Sequence, residues 1–77
     1  MKIEILGPGC PKCRKLYDET RAAVQAAGIE AVVEKVEDLQ KIMAYGVFIT
    51  PALVIDGQVK SSGRVLPSTA IRKLLQS

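Results

Sequence analysis

Lys2-Ile3-Glu4-Ile5-Leu6-Gly7-Pro8-Gly9-Cys10-Pro11-Lys12-Cys13 opens the chain, and its reading decides the fold. Residues 2–6 are a short apolar run that predicts a first strand, broken by Gly7-Pro8-Gly9. From Pro11 onward, Cys13, Leu16, Tyr17, Thr20, Val24 and Ala27 recur at three- and four-residue intervals. That spacing makes one face of a helix, with Lys12, Arg14, Lys15, Asp18, Glu19, Arg21 and Gln25 on the solvent side. Gly28 is a natural stop. The two cysteines therefore stand at a strand-to-helix junction. No other constellation in the sequence carries chemistry.

Further along, Ile29 to Val36 is rich in β-branched residues and predicts a second strand. A helix between two strands implies parallel pairing through a right-handed crossover. Asp38 is placed to cap a short helix with Leu39, Ile42 and Met43 as its apolar residues, closed by Gly46. Residues 52–55 and 58–61 flank Asp56-Gly57, the dipeptide that type I′ hairpin turns favour. Pro67 or Ser68 opens a last helix with Ile71, Leu74 and Leu75 inward. The order is β-α-β-α-β-β-α. No linker, repeat or low-complexity stretch divides it, so residues 1–77 are expected to form one domain.

Composition narrows the function. At 77 residues the chain is near the lower limit for a self-sufficient core. Two Tyr, one Phe and no Trp leave that core small and aliphatic. Eleven basic and eight acidic residues give +3, and only Lys12-Arg14-Lys15 cluster. A nucleic-acid surface asks for a basic stripe and stacking aromatics, so no nucleic-acid partner is expected. No stretch approaches the ~18 apolar residues of a membrane span. Nor is there a signal-peptide pattern, and a cytoplasmic location is expected.

Cys10 falls where an N-cap residue belongs, with Pro11 at the first helical position, where its missing N–H is harmless. There its sulfur faces the free amides of the first turn and the positive end of the helix dipole. Lys12, Arg14 and Lys15 add positive charge. A depressed pKa is expected for Cys10, and a more ordinary one for Cys13, one turn inside the helix. A Cys-x-x-Cys pair also supplies half of many zinc sites, but a closed zinc site takes four ligands. This chain has no His and no third Cys, so no metal and no other cofactor is expected. As a structural staple, a ring this short stabilises by only about 2 kcal/mol. Inert cysteines are the remaining alternative. The two thiols as a redox dithiol is the favoured reading, and the same pair as a soft-metal or metalloid carrier is its rival.

Val47-Phe48-Ile49-Thr50-Pro51-Ala52-Leu53-Val54-Ile55 places a proline directly ahead of an apolar strand. Taken alone, Pro51 reads as an ordinary strand-start proline. Together with Cys10-Pro11-Lys12-Cys13 and the Asp56-Gly57 turn, this stretch resembles the small thioredoxin/glutaredoxin-like redox-active disulfide proteins. The resemblance covers essentially the whole chain. It implies an α/β, minimal thioredoxin-like fold: a four-stranded mixed sheet, first two strands parallel, hairpin antiparallel, helices on both faces. It implies a thiol–disulfide oxidoreductase or electron carrier in which Cys10 attacks a protein disulfide and Cys13 resolves the mixed disulfide. Pro11, Lys12, Thr50 and Pro51 would shape the site, with Pro51 cis beside the dithiol and the Thr50 backbone hydrogen-bonding an extended substrate. The implied partners are a protein disulfide and a flavoprotein or other dithiol reductase, met by a monomer.

The departures are informative. Glutaredoxins hold glutathione with a Gly-Gly and an Asp before the last helix, whereas this chain has Ser61-Ser62-Gly63-Arg64-Val65-Leu66. Glutathione is therefore not expected as dedicated substrate. Thioredoxins carry a buried carboxylate six residues before the first Cys, the offset of Glu4. It is expected as proton acceptor for Cys13, with a solvated strand Glu as the alternative. Tyr17 reads as core. Phe48 and Ile49 read as core or as an apolar platform for a partner beside Cys10.

Overall fold

The computed structural model describes residues 1–76. Its elements are β1 (Lys2–Leu6), α1 (Pro11–Ala27), β2 (Val32–Val36), α2 (Leu39–Ala44), β3 (Ala52–Ile55), β4 (Gln58–Ser62) and α3 (Ser68–Gln76). The sheet order is β2-β1-β3-β4. β1 pairs β2 in parallel, with Ile5 opposite Lys35, and pairs β3 antiparallel, with Ile5 opposite Leu53. β3 and β4 form the antiparallel hairpin, with a register shift between Leu53 and Val54. Asp56 (φ 49°) and Gly57 (φ 82°) both take positive φ, as the I′ turn requires.

β1 sits in the middle of the sheet, and its alternation divides the molecule into two cores. Ile3 and Ile5 face α1 and α3, packing with Leu16, Ala23, Leu53, Ile55, Ile71 and Leu75. Leu6 faces the other way, with Val36, Ile42, Val47, Ala52 and Val54. Helices thus cover both faces of a mixed four-stranded sheet. This is the thioredoxin-like architecture the resemblance implies.

Two elements differ from expectation. β2 starts at Val32 rather than Ile29, because the chain leaves α1 through a left-handed Gly28 (φ 65°) and spends residues 29–31 reaching the sheet edge. α2 is only six residues, less than two turns, so one position points at the sheet. Ile42 takes it, while Leu39 and Met43 are exposed. Among the described residues, no helix is long and apolar enough to cross a membrane.

Candidate active site

Cys10 is the N-cap of α1, with extended backbone (φ −70°, ψ 164°) and Pro11 at the first helical position. Its sulfur accepts a hydrogen bond from the Cys13 amide at 3.3 Å. The two sulfurs lie 2.6 Å apart, one thiol donating to the other. Cys10 is half-exposed and Cys13 is buried. The pair is thus arranged asymmetrically: one sulfur meets solvent, and the other is shielded under the loop at Gly7.

This asymmetry drives the two pKa values apart. Cys10 is held below the ordinary cysteine value, first by the hydrogen bond from the Cys13 thiol, then by the Cys13 and Lys12 backbone amides. The helix N-terminus acts as expected. Lys12 contributes through its backbone amide. Cys13 is pushed up, chiefly by burial and then by its hydrogen bond to Cys10. A thiolate at the surface beside a thiol in reserve suits nucleophilic attack on a disulfide followed by intramolecular release.

Gly7 has a part that the sequence analysis missed, having read Gly7-Pro8-Gly9 only as a strand break. It is buried, and its amide donates to the Val36 carbonyl at 2.9 Å. A Cβ at Gly7 would overlap the Cys13 sulfur. Glycine here is what lets the loop close over the second thiol.

The Thr50–Pro51 bond is cis and Pro51 is buried. The loop before it is tied to β4: Ser62 Oγ donates to the Ile49 carbonyl at 2.8 Å, and the Gly63 amide donates to the Pro51 carbonyl at 2.8 Å. The Thr50 side chain lies near Gly7 and the Cys13 sulfur, so this loop and the dithiol adjoin. Phe48 is 81% exposed and Ile49 66%, so neither belongs to the core. Tyr17 is half-buried against the α1 core, with Lys35 Nζ 4.5 Å from its ring centroid.

Glu4 is not brought to the dithiol. It is buried, but strand alternation turns it toward α2, where Tyr45 Oη donates to its Oε1 at 2.6 Å. Ile5 faces the helix side instead. Counting six residues back from Cys10 therefore finds a buried carboxylate on the wrong face of the sheet.

Comparison with known proteins agrees with this site. The profile of the thioredoxin domain matches residues 1–76. The chain belongs to the thioredoxin family. A thioredoxin of Methanothermobacter thermautotrophicus is 40% identical over 75 residues, 97% of either chain. A thioredoxin of Methanocaldococcus jannaschii is 36% identical over 75 residues, 97% of this chain and 86% of that one. Within that family the Cys10–Cys13 pair is the dithiol of a thiol–disulfide oxidoreductase, a class that acts on protein disulfides and is served by reductases. The carrier alternative is not favoured. Among the described residues, no group of three His, Cys, Asp or Glu side chains is placed to hold a metal ion.

Proposed function

We propose that the protein reduces protein disulfides through Cys10 as nucleophile and Cys13 as resolving thiol. The observation that carries this reading is the pair of sulfurs at 2.6 Å whose pKa values move in opposite directions. The Cys10 thiolate attacks a substrate disulfide, forming a Cys10–substrate bond while the other substrate sulfur leaves as thiolate and takes up a proton. Cys13 then attacks the Cys10 sulfur, the Cys10–Cys13 bond forms, and the second substrate thiol departs. Two electrons pass from the dithiol to the substrate, whose two thiolates take their protons from solvent, while Cys13 gives up its one proton on forming the Cys10–Cys13 bond. A flavoprotein or other dithiol reductase returns the electrons.

Thr50, Pro51, Pro11 and Lys12 shape the entrance, and exposed Phe48 and Ile49 form an apolar platform beside it. The Ser61-Ser62-Gly63-Arg64 segment favours protein disulfides over glutathione mixed disulfides, because the glutaredoxin Gly-Gly and Asp are missing. We read the chain as one domain, monomeric and cytoplasmic; sedimentation and cell fractionation check the last two.

Trapping tests the division of labour. A Cys13→Ser variant accumulates mixed disulfides through Cys10, since nothing remains to resolve them, and Cys10→Ser traps almost nothing. Trapping by Cys10→Ser instead would reverse the roles. In turnover assays the protein reduces insulin better than a glutathione mixed disulfide, and the opposite ranking by a wide margin refutes the substrate assignment.

A further inference from the structure

We infer that Glu37 accepts the proton Cys13 must lose when it resolves the mixed disulfide, by way of a small polar cavity beside the buried thiol. This rests on the reading of Cys13 as resolving thiol. In that step the Cys10–Cys13 bond forms, the bond from Cys10 to the substrate sulfur breaks, and the substrate leaves with the electron pair. The Cys13 proton has to go elsewhere. Cys13 is only 5% exposed, so bulk water does not sit on its sulfur, and Glu4 is committed to Tyr45 on the far face.

A cavity of about 260 Å³ opens against Cys13, walled by Gly7, Gly9, Arg14, Lys35 and Glu37 among others. At roughly 30 Å³ of liquid volume per water it has room for several, and its wall offers them polar partners. Glu37 is the one carboxylate among the described residues that line it. It lies beside Gly9, which also borders the thiol. Glu37 Oε2 lies 3.4 Å from where a Gly9 Cβ would stand, and Gly9 lines the cavity together with Cys13. Gly9, at φ 89°, is thus the partition between thiol and carboxylate, and it carries no side chain to block the passage.

The charged groups facing Glu37 support the role. Arg14 comes from α1 and Lys35 from β2, and the Lys35 ammonium is held over the Tyr17 ring. Both cations line the same cavity as the carboxylate. Glu37 is exposed at its outer side, so it can pass the proton on to bulk solvent.

The test separates the two chemical steps in the full-length protein with dithiobis(nitrobenzoate) as the disulfide. Attack by Cys10 releases one coloured thiolate, and resolution by Cys13 releases the second. In Glu37→Gln the first phase keeps its rate, while the second slows about a hundredfold, the lower end of general-base assistance. Glu37→Asp, which keeps the base, recovers most of that rate. A second phase unchanged in Glu37→Gln, or slowed equally in both variants, overturns the assignment. If the unsubstituted protein releases no second thiolate, the failure belongs to the resolving-thiol reading, not to Glu37.

Discussion

Replacing Gly7 by Ala tests how tightly the fold holds the second thiol. The new methyl would overlap the Cys13 sulfur, so something has to move. The Gly7 backbone cannot retreat easily, because its amide is bonded to Val36 in the neighbouring strand. Cys13 is in the first turn of α1 with few helix-compatible rotamers, and turning its sulfur aside breaks the 2.6 Å approach to Cys10. Overpacking of this kind costs about 1–3 kcal/mol, offset by roughly 0.4–1 kcal/mol from the stiffer unfolded chain. The net is a destabilisation of about 1–2 kcal/mol, which for a domain of this size lowers the melting temperature by roughly 4–16 °C. Thermal melting of the reduced protein by circular dichroism reads the first effect. Insulin reduction reads the second, and turnover falls at least about tenfold because the dithiol is pulled out of its near-attack geometry. A Gly7→Ala protein that melts and turns over like the unsubstituted one refutes the argument that Gly7 shapes the site.

Alkylation at neutral pH modifies Cys10 before Cys13. Its rate, followed by mass spectrometry across pH, rises with an inflection below the ordinary cysteine value, because the thiolate is the reacting form and Cys10 is shifted downward. An inflection at or above that value contradicts the N-cap account. Tyr45→Phe removes the donor to buried Glu4 and lowers the melting temperature, yet leaves both thiol steps at their original rates; slower resolution in this variant would tie Glu4 to the dithiol after all. The Tyr45 phenol is shifted upward, chiefly by its bond to Glu4, so its contribution to stability is complete below the unfolded tyrosine pKa. That contribution disappears as pH rises through the folded value, which alkaline melting curves check. Phe48→Ser alters stability by no more than about 0.5 kcal/mol, since the ring is exposed, but raises KM for insulin more than for a small aromatic disulfide. Equal effects on both substrates contradict the platform.

Much of this was legible in the chain because local chemistry and global fold agree there. Cys10-Pro11 marks the start of α1, and Asp56-Gly57 adopts the positive φ pair its composition demands. What escaped was whatever depends on which side of a strand a residue occupies once its neighbours are known. Glu4 and Ile5 differ by one position and face opposite cores. An offset counted back from Cys10 carries no information about that parity, because the loop through Gly7-Pro8-Gly9 can hold one residue more or fewer. The closeness of Gly7 to the Cys13 sulfur and the place of Glu37 in the cavity wall are contacts across the loop, and glycine composition alone does not announce them. Leu39 and Met43 fit a helical face as well as Ile42 does, but a helix of six residues has only one position to bury.

The sheet also explains why the dithiol is asymmetric at all. β1 feeds directly into α1 through the four residues 7–10, so the first thiol emerges at the helix end, in contact with solvent and free amides. The second, three residues on, is rotated by most of a turn and buried on the face of α1 that carries Leu16, under the loop at Gly7. Helix ends lower the pKa of a thiol and apolar cores raise it. A Cys-x-x-Cys pair at this junction therefore acquires one thiolate and one reserve thiol from backbone amides and burial. The same rotation that shields Cys13 from solvent deprives it of a base. A cavity with a carboxylate in its wall is what the burial makes necessary, and in this chain that carboxylate is Glu37, just past the end of β2.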